Sequence, residues 1–266
     1  MNNGDACQVS HLEELRIDSC PCLKSFPIGH LPNSFKRLYI GDCRQLEFIP
    51  QRMLQYCREL EEIHIHGNNA KIEPHFIHHS SKYERSYIHD CLGIDKLDGL
   101  ESLCPFIPNL KRLTIKSFKN LKSLPDKLQD LNSLHELCIS NCPGIESIPD
   151  GGLPSNLLSL EISDCPGIES IPDSGFPPNL RDLRISSCKN LKSLPDKLQV
   201  LNSLDKLCIS NCPGIESISD GDLPPNLTSL EIRDCPGIES ISNCDSAPNL
   251  GKLIIDCKNL KKPMQE

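Results

Sequence analysis

A nine-residue phrase, Leu-x-x-Leu-x-Ile-x-x-Cys, recurs along almost the whole chain and constrains it more than any other feature. It is plainest at Leu157, Leu160, Ile162 and Cys165, and again at Leu227, Leu230, Ile232 and Cys235. Versions of it begin at Leu12, Phe35, Leu60, Leu110, Leu134, Leu157, Leu180, Leu204, Leu227 and Leu250; apart from one gap, the spacings are 23 to 25 residues. The second leucine and the isoleucine lie two apart, so on a short strand they point to one face. A fixed period of this length means that each unit stacks on the next to form a solenoid.

No single unit buries its apolar face alone, so stability must come from contacts between neighbours. Each buried Leu or Ile contributes roughly 1.5–3 kcal/mol against chain entropy, which favours ten stacked units where one would not fold. The phrase usually continues into apolar residues and a proline, as in Ile168, Ile171, Pro172 and Leu191, Leu194, Pro195. These fill the core from the return side, where proline removes a backbone donor and blocks a continued strand. Only Asp126–Leu131 and Asp196–Leu201 have the composition for a helical turn or two. The expected fold is an α/β solenoid of the leucine-rich-repeat kind. It is an arc with a concave parallel β-sheet and a mostly irregular convex side carrying short helical turns. The expected organisation is a single domain over residues 1–266 of about ten repeats, with an irregular or degenerate stretch at 73–105.

Sixteen cysteines would suggest disulfides in a secreted chain, but their placement argues otherwise. Cys20, Cys43, Cys142, Cys165, Cys188, Cys212, Cys235 and Cys257 occupy the slot after the strand, where a small side chain turns inward; Asn68 fills it in its own unit. Cysteine suits that slot as a small buried hydrophobe with a weak donor. Neighbouring slots lie about 4.8 Å apart, within alpha-carbon range for a bridge, but parallel side chains make the geometry poor. Reduced structural thiols are the expectation. Met1–Ser10 is polar, without a basic or hydrophobic leader segment. No apolar run approaches the roughly 20 residues that span a bilayer. The net charge of −8 argues against non-specific nucleic-acid binding. These features point to a cytoplasmic or nuclear protein with no membrane span.

Residues 110–179 and 180–249 align without a gap, with 51 of 70 positions identical, so three units were copied as a block. Four positions per unit flank the buried strand residues and project from the concave face. Of the twelve such positions in a block, eight differ: Lys111/Arg181, Arg112/Asp182, Thr114/Arg184, Lys116/Ser186, His135/Asp205, Glu136/Lys206, Leu158/Thr228 and Ser163/Arg233. The other fifty-eight positions hold only eleven differences. Several changes reverse or remove charge, which alters a partner's electrostatic match more than the scaffold's stability. Drift of solvent-facing residues is the alternative, but the exposed return stretch Asp126–Gln129 is unchanged as Asp196–Gln199. The concave positions are therefore the candidate protein-binding residues. To those already named, the same register adds Arg16, Arg37, Tyr39, His64, His66, Glu161 and Glu231.

The strand phrase combines with Lys-Asn-Leu-Lys-Ser-Leu-Pro at 119–125 and 189–195, and with Cys-Pro-Gly-Ile-Glu-Ser-Ile-Pro at 142–149 and 165–172. Together these resemble the repeat region of plant intracellular nucleotide-binding leucine-rich-repeat disease-resistance proteins of the coiled-coil type. The resemblance covers residues 12 to about 260. Extracellular plant repeats place Asn-x-Leu-x-Gly-x-Ile-Pro after the strand; here Gly167 directly follows Pro166 and no Gly precedes Ile171. The resemblance implies protein partners: a pathogen effector or the host protein it modifies, and the nucleotide-binding domain of the same or a related receptor. The sequence departs from the family by carrying no Gly-x-x-x-x-Gly-Lys-[Ser/Thr] loop, so no nucleotide or other cofactor is expected. On this reading the chain is a truncated product or a piece of something longer that senses, acts as a decoy, or regulates a full-length relative.

Other sites are weaker. His64 and His66 share a strand face, and His75, His78, His79 and His89 lie near, a set that can supply imidazole ligands. An exposed polar patch explains them as well. Cys138 with Cys142, and Cys208 with Cys212, have a zinc-like spacing, but in the repeat register one points outward and the other inward. No serine stands in a nucleophile elbow, so no catalytic residue is assigned. The one glycosylation sequon, Asn226-Leu227-Thr228, has a core leucine at its centre. Tyr83, Tyr87 and Cys91 fall in the irregular stretch, which is read as a decayed repeat rather than a functional loop. Competing with the immune-receptor reading are a substrate-recognition repeat region of an F-box type ubiquitin ligase subunit and a non-functional truncated product.

Overall fold

The computed structural model describes residues 11–24, 31–41, 43, 45–46, 48–49, 62–66, 71–72, 85–89, 111–116, 118, 121–124, 126–218, 223–241 and 247–261; at 48–49, 62–66, 71–72, 85–89 and 126–127 only the backbone is described. Every full repeat phrase in this set forms a five-residue strand. In chain order the strands are β1 (Glu14–Asp18), β2 (Arg37–Gly41), β3 (Phe48–Ile49), β4 (Glu62–His66), β5 (Lys71–Ile72), β6 (Arg85–His89), β7 (Arg112–Lys116) and β8 (Glu136–Ser140). They continue as β9 (Ser159–Ser163), β10 (Asp182–Ser186), β11 (Lys206–Ser210), β12 (Ser217–Ile218), β13 (Ser229–Arg233), β14 (Ser240–Ile241) and β15 (Lys252–Asp256). The five-residue strands make one eleven-stranded sheet in the order β1-β2-β4-β6-β7-β8-β9-β10-β11-β13-β15. All the pairings are parallel and in the same register, so Leu137, Leu160, Leu183, Leu207, Leu230 and Leu253 form one row. That is the expected solenoid.

Alternation within each strand does what the phrase requires. In β7, Leu113 and Ile115 are buried while Arg112 and Lys116 are exposed, and β8 likewise buries Leu137 and Ile139. The leucine that opens the phrase and the cysteine that closes it are buried as well, as at Leu180 and Cys188. On the return side, Ile168, Ile171 and Leu191 are buried, and Leu194 packs partly covered against the same core. Short 3-10 turns occur at Asp126–Asp130 and Leu198–Val200, within the two segments expected to turn.

The return side is more ordered than proline content alone implies. In the first copy, Ser147 and Ser170 make a single parallel bridge, each followed by an Ile-Pro pair. In the second copy those prolines are replaced by Ser219 and Ser242, and the bridge widens into the two-residue ladder β12–β14.

One main-sheet strand arises where the phrase is missing. β6 pairs with β4 on one side and β7 on the other, within the 73–105 stretch. Its sequence, Arg-Ser-Tyr-Ile-His, keeps the isoleucine of the phrase but replaces the leucine with Ser86. Tyr83, Cys91 and Leu97–Pro105 lie outside the described residues, as do Asn68, His75, His78 and His79.

Two backbone devices set the spacing of the turns. The residue before six of the closing cysteines has a left-handed backbone: Ser19, Asn141, Asp164, Ser187, Asn211 and Asp234 have φ of 51–54°. Short polar side chains tolerate this region best among non-glycines. The turn aims each N–H at the next coil, as where Asn141 N donates to Ser163 O at 2.9 Å and Asp164 N to Ser186 O at 3.0 Å. The second device is close approach after the cysteine. A Cβ on Gly167 would stand 2.5 Å from Ile145 O and 2.6 Å from Pro143 O. At the same place in the following turn, Asn190 donates its side-chain amide to Pro166 O at 2.7 Å. Gly167→Ala should force the two coils apart and cost about 1–3 kcal/mol. Gly251→Ala, whose new Cβ would meet nothing nearer than Thr228 O at 3.8 Å, should change stability by about 0.5 kcal/mol or less. Thermal melting of the two variants checks this; equal melting temperatures would contradict it.

Candidate protein-binding face

The outward face of the main sheet is built from the unburied positions of each strand and the residue just before it. Those preceding residues break the in-out alternation: Lys111 has the parity of buried Leu113 yet is exposed. The cause is a forked hydrogen bond. Lys111 O accepts from both His135 N at 2.9 Å and Glu136 N at 3.0 Å, and His135 O accepts from Leu158 N and Ser159 N at 2.8 and 2.9 Å. The fork recurs from Glu13 through Leu158, Arg181, Asp205 and Thr228. Lys111, His135, Leu158, Arg181, Asp205 and Thr228 therefore form a lip along one edge of the sheet rather than part of its flat face.

Three further rows run across the strands. Arg37, Arg112, Glu136, Asp182 and Lys206 lie in the first; Arg16, Tyr39, Thr114, Glu161, Arg184 and Glu231 in the middle; Lys116, Ser163 and Arg233 in the third. His64 pairs in register with Tyr39 and Tyr87, and His66 with Gly41, but the histidine side chains lie outside the described residues. Exposure is uneven. Arg112, Lys116, Glu161, Arg184, Lys206 and Arg233 are exposed, whereas Arg37, Tyr39, Thr114, Asp182 and Glu231 are half-buried. Ser163 is 8% exposed, so it offers a partner little surface.

Charged side chains bridge rows and strands. Arg37 pairs with Glu14 at 2.8 Å and Arg112 with Glu136 at 2.9 Å, while Arg184 turns onto Asp182 of its own strand at 2.9 Å. Glu231 is held by Arg233 at 3.3 Å and by Lys252, and these cations keep its carboxyl below the ordinary range. The Arg16 guanidinium lies 5.5 Å from the Tyr39 ring centre, and the Thr228 hydroxyl donates to Asp205. Pairs as exposed as these contribute about 0–1 kcal/mol each, so the face can be rewritten without unfolding the sheet.

Beneath the face runs the cysteine ladder. Cys142, Cys165, Cys188, Cys212 and Cys235 are buried in consecutive turns. Their thiols donate two residues back, at 3.3 Å from Cys142 Sγ to Ser140 O and 3.2 Å from Cys165 Sγ to Ser163 O. Burial pushes the Cys188 thiol up to about 12 and the Cys235 thiol to about 11. For Cys165, contact with the Cys142 thiol and then burial act in the same direction. Cys20 differs from expectation: among the described residues β1 is the first strand of the main sheet, and Cys20 is exposed. Cys138 sits half-buried on the outward face, opposite in sense to Cys142, and is pushed up to about 11 by burial and by Glu161. Among the described residues no group of three His, Cys, Asp or Glu side chains could hold a metal ion, and no helix is long and apolar enough to cross a membrane.

The sequence reading missed a second ladder on the edge of the coil. Asn156, Asn179, Asn226 and Asn249, each just before the phrase, donate side-chain amides to the preceding turn, at 2.8 Å from Asn156 to Asn132 O and 2.9 Å from Asn226 to Asn202 O. The signal was present as Asn-Leu at the start of each of those units. It also engages Asn226, the sequon asparagine, in the coil.

Solved structures share this architecture. The leucine-rich-repeat domain of the type III effector XopL superposes with a TM-score of 0.61 at 18% identity, covering 93% of this chain and 77% of that one. The chain is a leucine-rich-repeat solenoid. The FLRT2 repeat domain, solved in an octameric complex with latrophilin 3 and Unc5D, gives 0.59 at 18% identity over 90% of this chain and 77% of that one. No family model matches the sequence. A protein of Arabidopsis thaliana described as a disease resistance protein is 34% identical over 178 residues, which is 56% of this chain and 12% of that relative. The resemblance to the repeat region of a plant disease-resistance protein therefore stands, over a small part of the relative's length.

The ladder makes a pH-dependent contribution with a definite sign. Between the unfolded thiol value of about 8.5–9 and the raised native values, the native state binds more protons. Stability should be full below about pH 8.5 and fall as pH rises, most steeply above 9. Melting temperatures measured from pH 8 to 10 should decline, and Cys188→Ala should flatten the decline. At pH 8, a maleimide should modify Cys20 and Cys22 while sparing Cys165, Cys188, Cys212 and Cys235. Uniform labelling would contradict this assignment.

Proposed function

We propose that the repeat solenoid is a non-catalytic protein-recognition module, comparable to the effector-sensing and autoregulatory repeat region of a plant disease-resistance protein. Protein partners bind on the outward face of the main sheet. The observation that carries this reading is the distribution of change between the duplicated blocks. Positions that build the core and the asparagine ladder are nearly unchanged, while eight of twelve face and lip positions differ, all three fork-bearing lip residues among them. Two of those differences reverse charge, at Arg112/Asp182 and Glu136/Lys206. The similarity to a disease resistance protein supports the biological setting. The FLRT2 repeat domain, found in a complex with other proteins, illustrates the use of such a fold as a binding surface. Partners in this setting are an effector or its host target, and the nucleotide-binding domain of the same or a related receptor. The place of action is the cytoplasm or nucleus.

Site-specific photocrosslinking tests the face directly. A benzoylphenylalanine placed at Arg184 or Lys206 should capture discrete protein partners from plant-cell extract. The same probe at Lys192 or Lys197, exposed on the return side, should capture few. Equal capture from both sides would overturn the assignment.

A further inference from the structure

We infer that the partner presents an acidic polypeptide segment to the stretch of face from β7 to β11. This rests on the reading of that face as the working surface. The first observation is a separation of charge within an acidic chain. Each duplicated block carries a net −3, from six basic and nine acidic residues in the first and seven and ten in the second. Yet the twelve face and lip positions carry +1 in both blocks. In the first, Lys111, Arg112 and Lys116 oppose Glu136 and Glu161. In the second, Arg181, Arg184, Lys206 and Arg233 oppose Asp182, Asp205 and Glu231. The remainder of each block is thus −4. Eight positions changed, two of them by charge reversal, and the sign of the face did not.

The second observation is which charges remain uncompensated. The carboxylates are largely occupied: Glu136 by Arg112, Asp182 by Arg184, Glu231 by Arg233 and Lys252, and Asp205 by the Thr228 hydroxyl. Among the described residues, Lys116, Arg181 and Lys206 are exposed and meet no carboxylate within ion-pair distance. Arg181 and Lys206 are neighbours across one turn, because Lys206 N bonds Arg181 O at 2.8 Å. Together they present a cationic pair where the lip meets the first row, with Lys116 in the third row across the face. A carboxylate-bearing segment crossing the strands finds cations at both sides, and its approach is steered by the difference between face and surroundings.

The interspersed carboxylates select polypeptide over nucleic acid. A nucleic-acid strand carries a charge at every step, and along this path it would meet Glu136, Glu161 and Asp182 as well as the −4 remainder. A peptide can place acidic residues opposite the cations and neutral ones elsewhere.

The test uses fluorescence anisotropy with the whole chain at about 50 mM salt and three probes of about twelve units: a mixed Glu/Ser peptide, a Lys/Ser peptide and a single-stranded oligonucleotide. The Glu/Ser peptide should bind best and weaken as salt rises. Arg181→Glu with Lys206→Glu should weaken it at least about tenfold. Lys192→Glu with Lys197→Glu, on the return side, should change it less than about twofold; melting curves confirm that both variants fold. Tighter binding of the oligonucleotide or the Lys/Ser peptide would overturn the acidic-polypeptide inference, as would no binding of the Glu/Ser peptide. If the Lys/Ser peptide binds and only the face variant disturbs it, the face assignment survives without the charge class. If the return-side variant abolishes binding instead, the face assignment itself fails.

Discussion

Everything in this molecule depends on one coil lying at a fixed height and register on the next. The parallel ladder supplies most of that constraint, but it is not alone. A forked carbonyl at each lip residue accepts two N–H groups from the following turn, and a left-handed residue after six of the strands directs its own N–H to the same neighbour. These bonds satisfy backbone donors at the strand ends, as a buried junction requires. They also hold two coils too close for a side chain at Gly167, whereas the following turn admits Asn190, whose amide bonds Pro166 O.

From that spacing follows a division of labour among side chains. Residues pointing inward meet the same residue one coil away, so leucine stacks on leucine and cysteine on cysteine, and any change is felt twice. Outward residues meet neighbours only through exposed pairs such as Arg112–Glu136. Such pairs hold little stability and are cheap to rearrange. A solenoid can therefore alter its surface within one duplication while its core stays in register. The charge of the face in both blocks, kept at +1 through eight substitutions, is the part of that surface that did not drift.

The strand phrase made the architecture legible because period two inside the strand and period 23–25 along the chain speak for the same core. Leu160, Ile162 and Cys165 are all fully buried, as their spacing implies. Legibility failed where one of those signals was lost. Ser86 occupies the leucine position of β6, so that strand is visible only from its ladder partners. The lip residues obey the strand's parity on paper and depart from it in the structure because the forked carbonyl turns the chain. Ser163 was grouped with exposed positions, but its small side chain is covered. The asparagine ladder was visible as a repeated Asn-Leu, yet a polar residue outside the apolar phrase carries no periodic burial signal. Which face positions a partner touches was legible only through the duplication, since one sequence records its own history of change in no other way.

The central claim is that the scaffold and the recognition surface are separable. Grafting the eight first-copy face residues onto the second copy, from Arg181→Lys to Arg233→Ser, tests it in a single protein. Melting and crosslinking of the graft would be measured against the parent. The account predicts a melting temperature within a few degrees of the parent, since exposed substitutions typically shift stability by about 0.5 kcal/mol or less each. It also predicts a changed pattern of captured partners. A graft that melts far lower, or one that captures the same partners with unchanged yield, would contradict it.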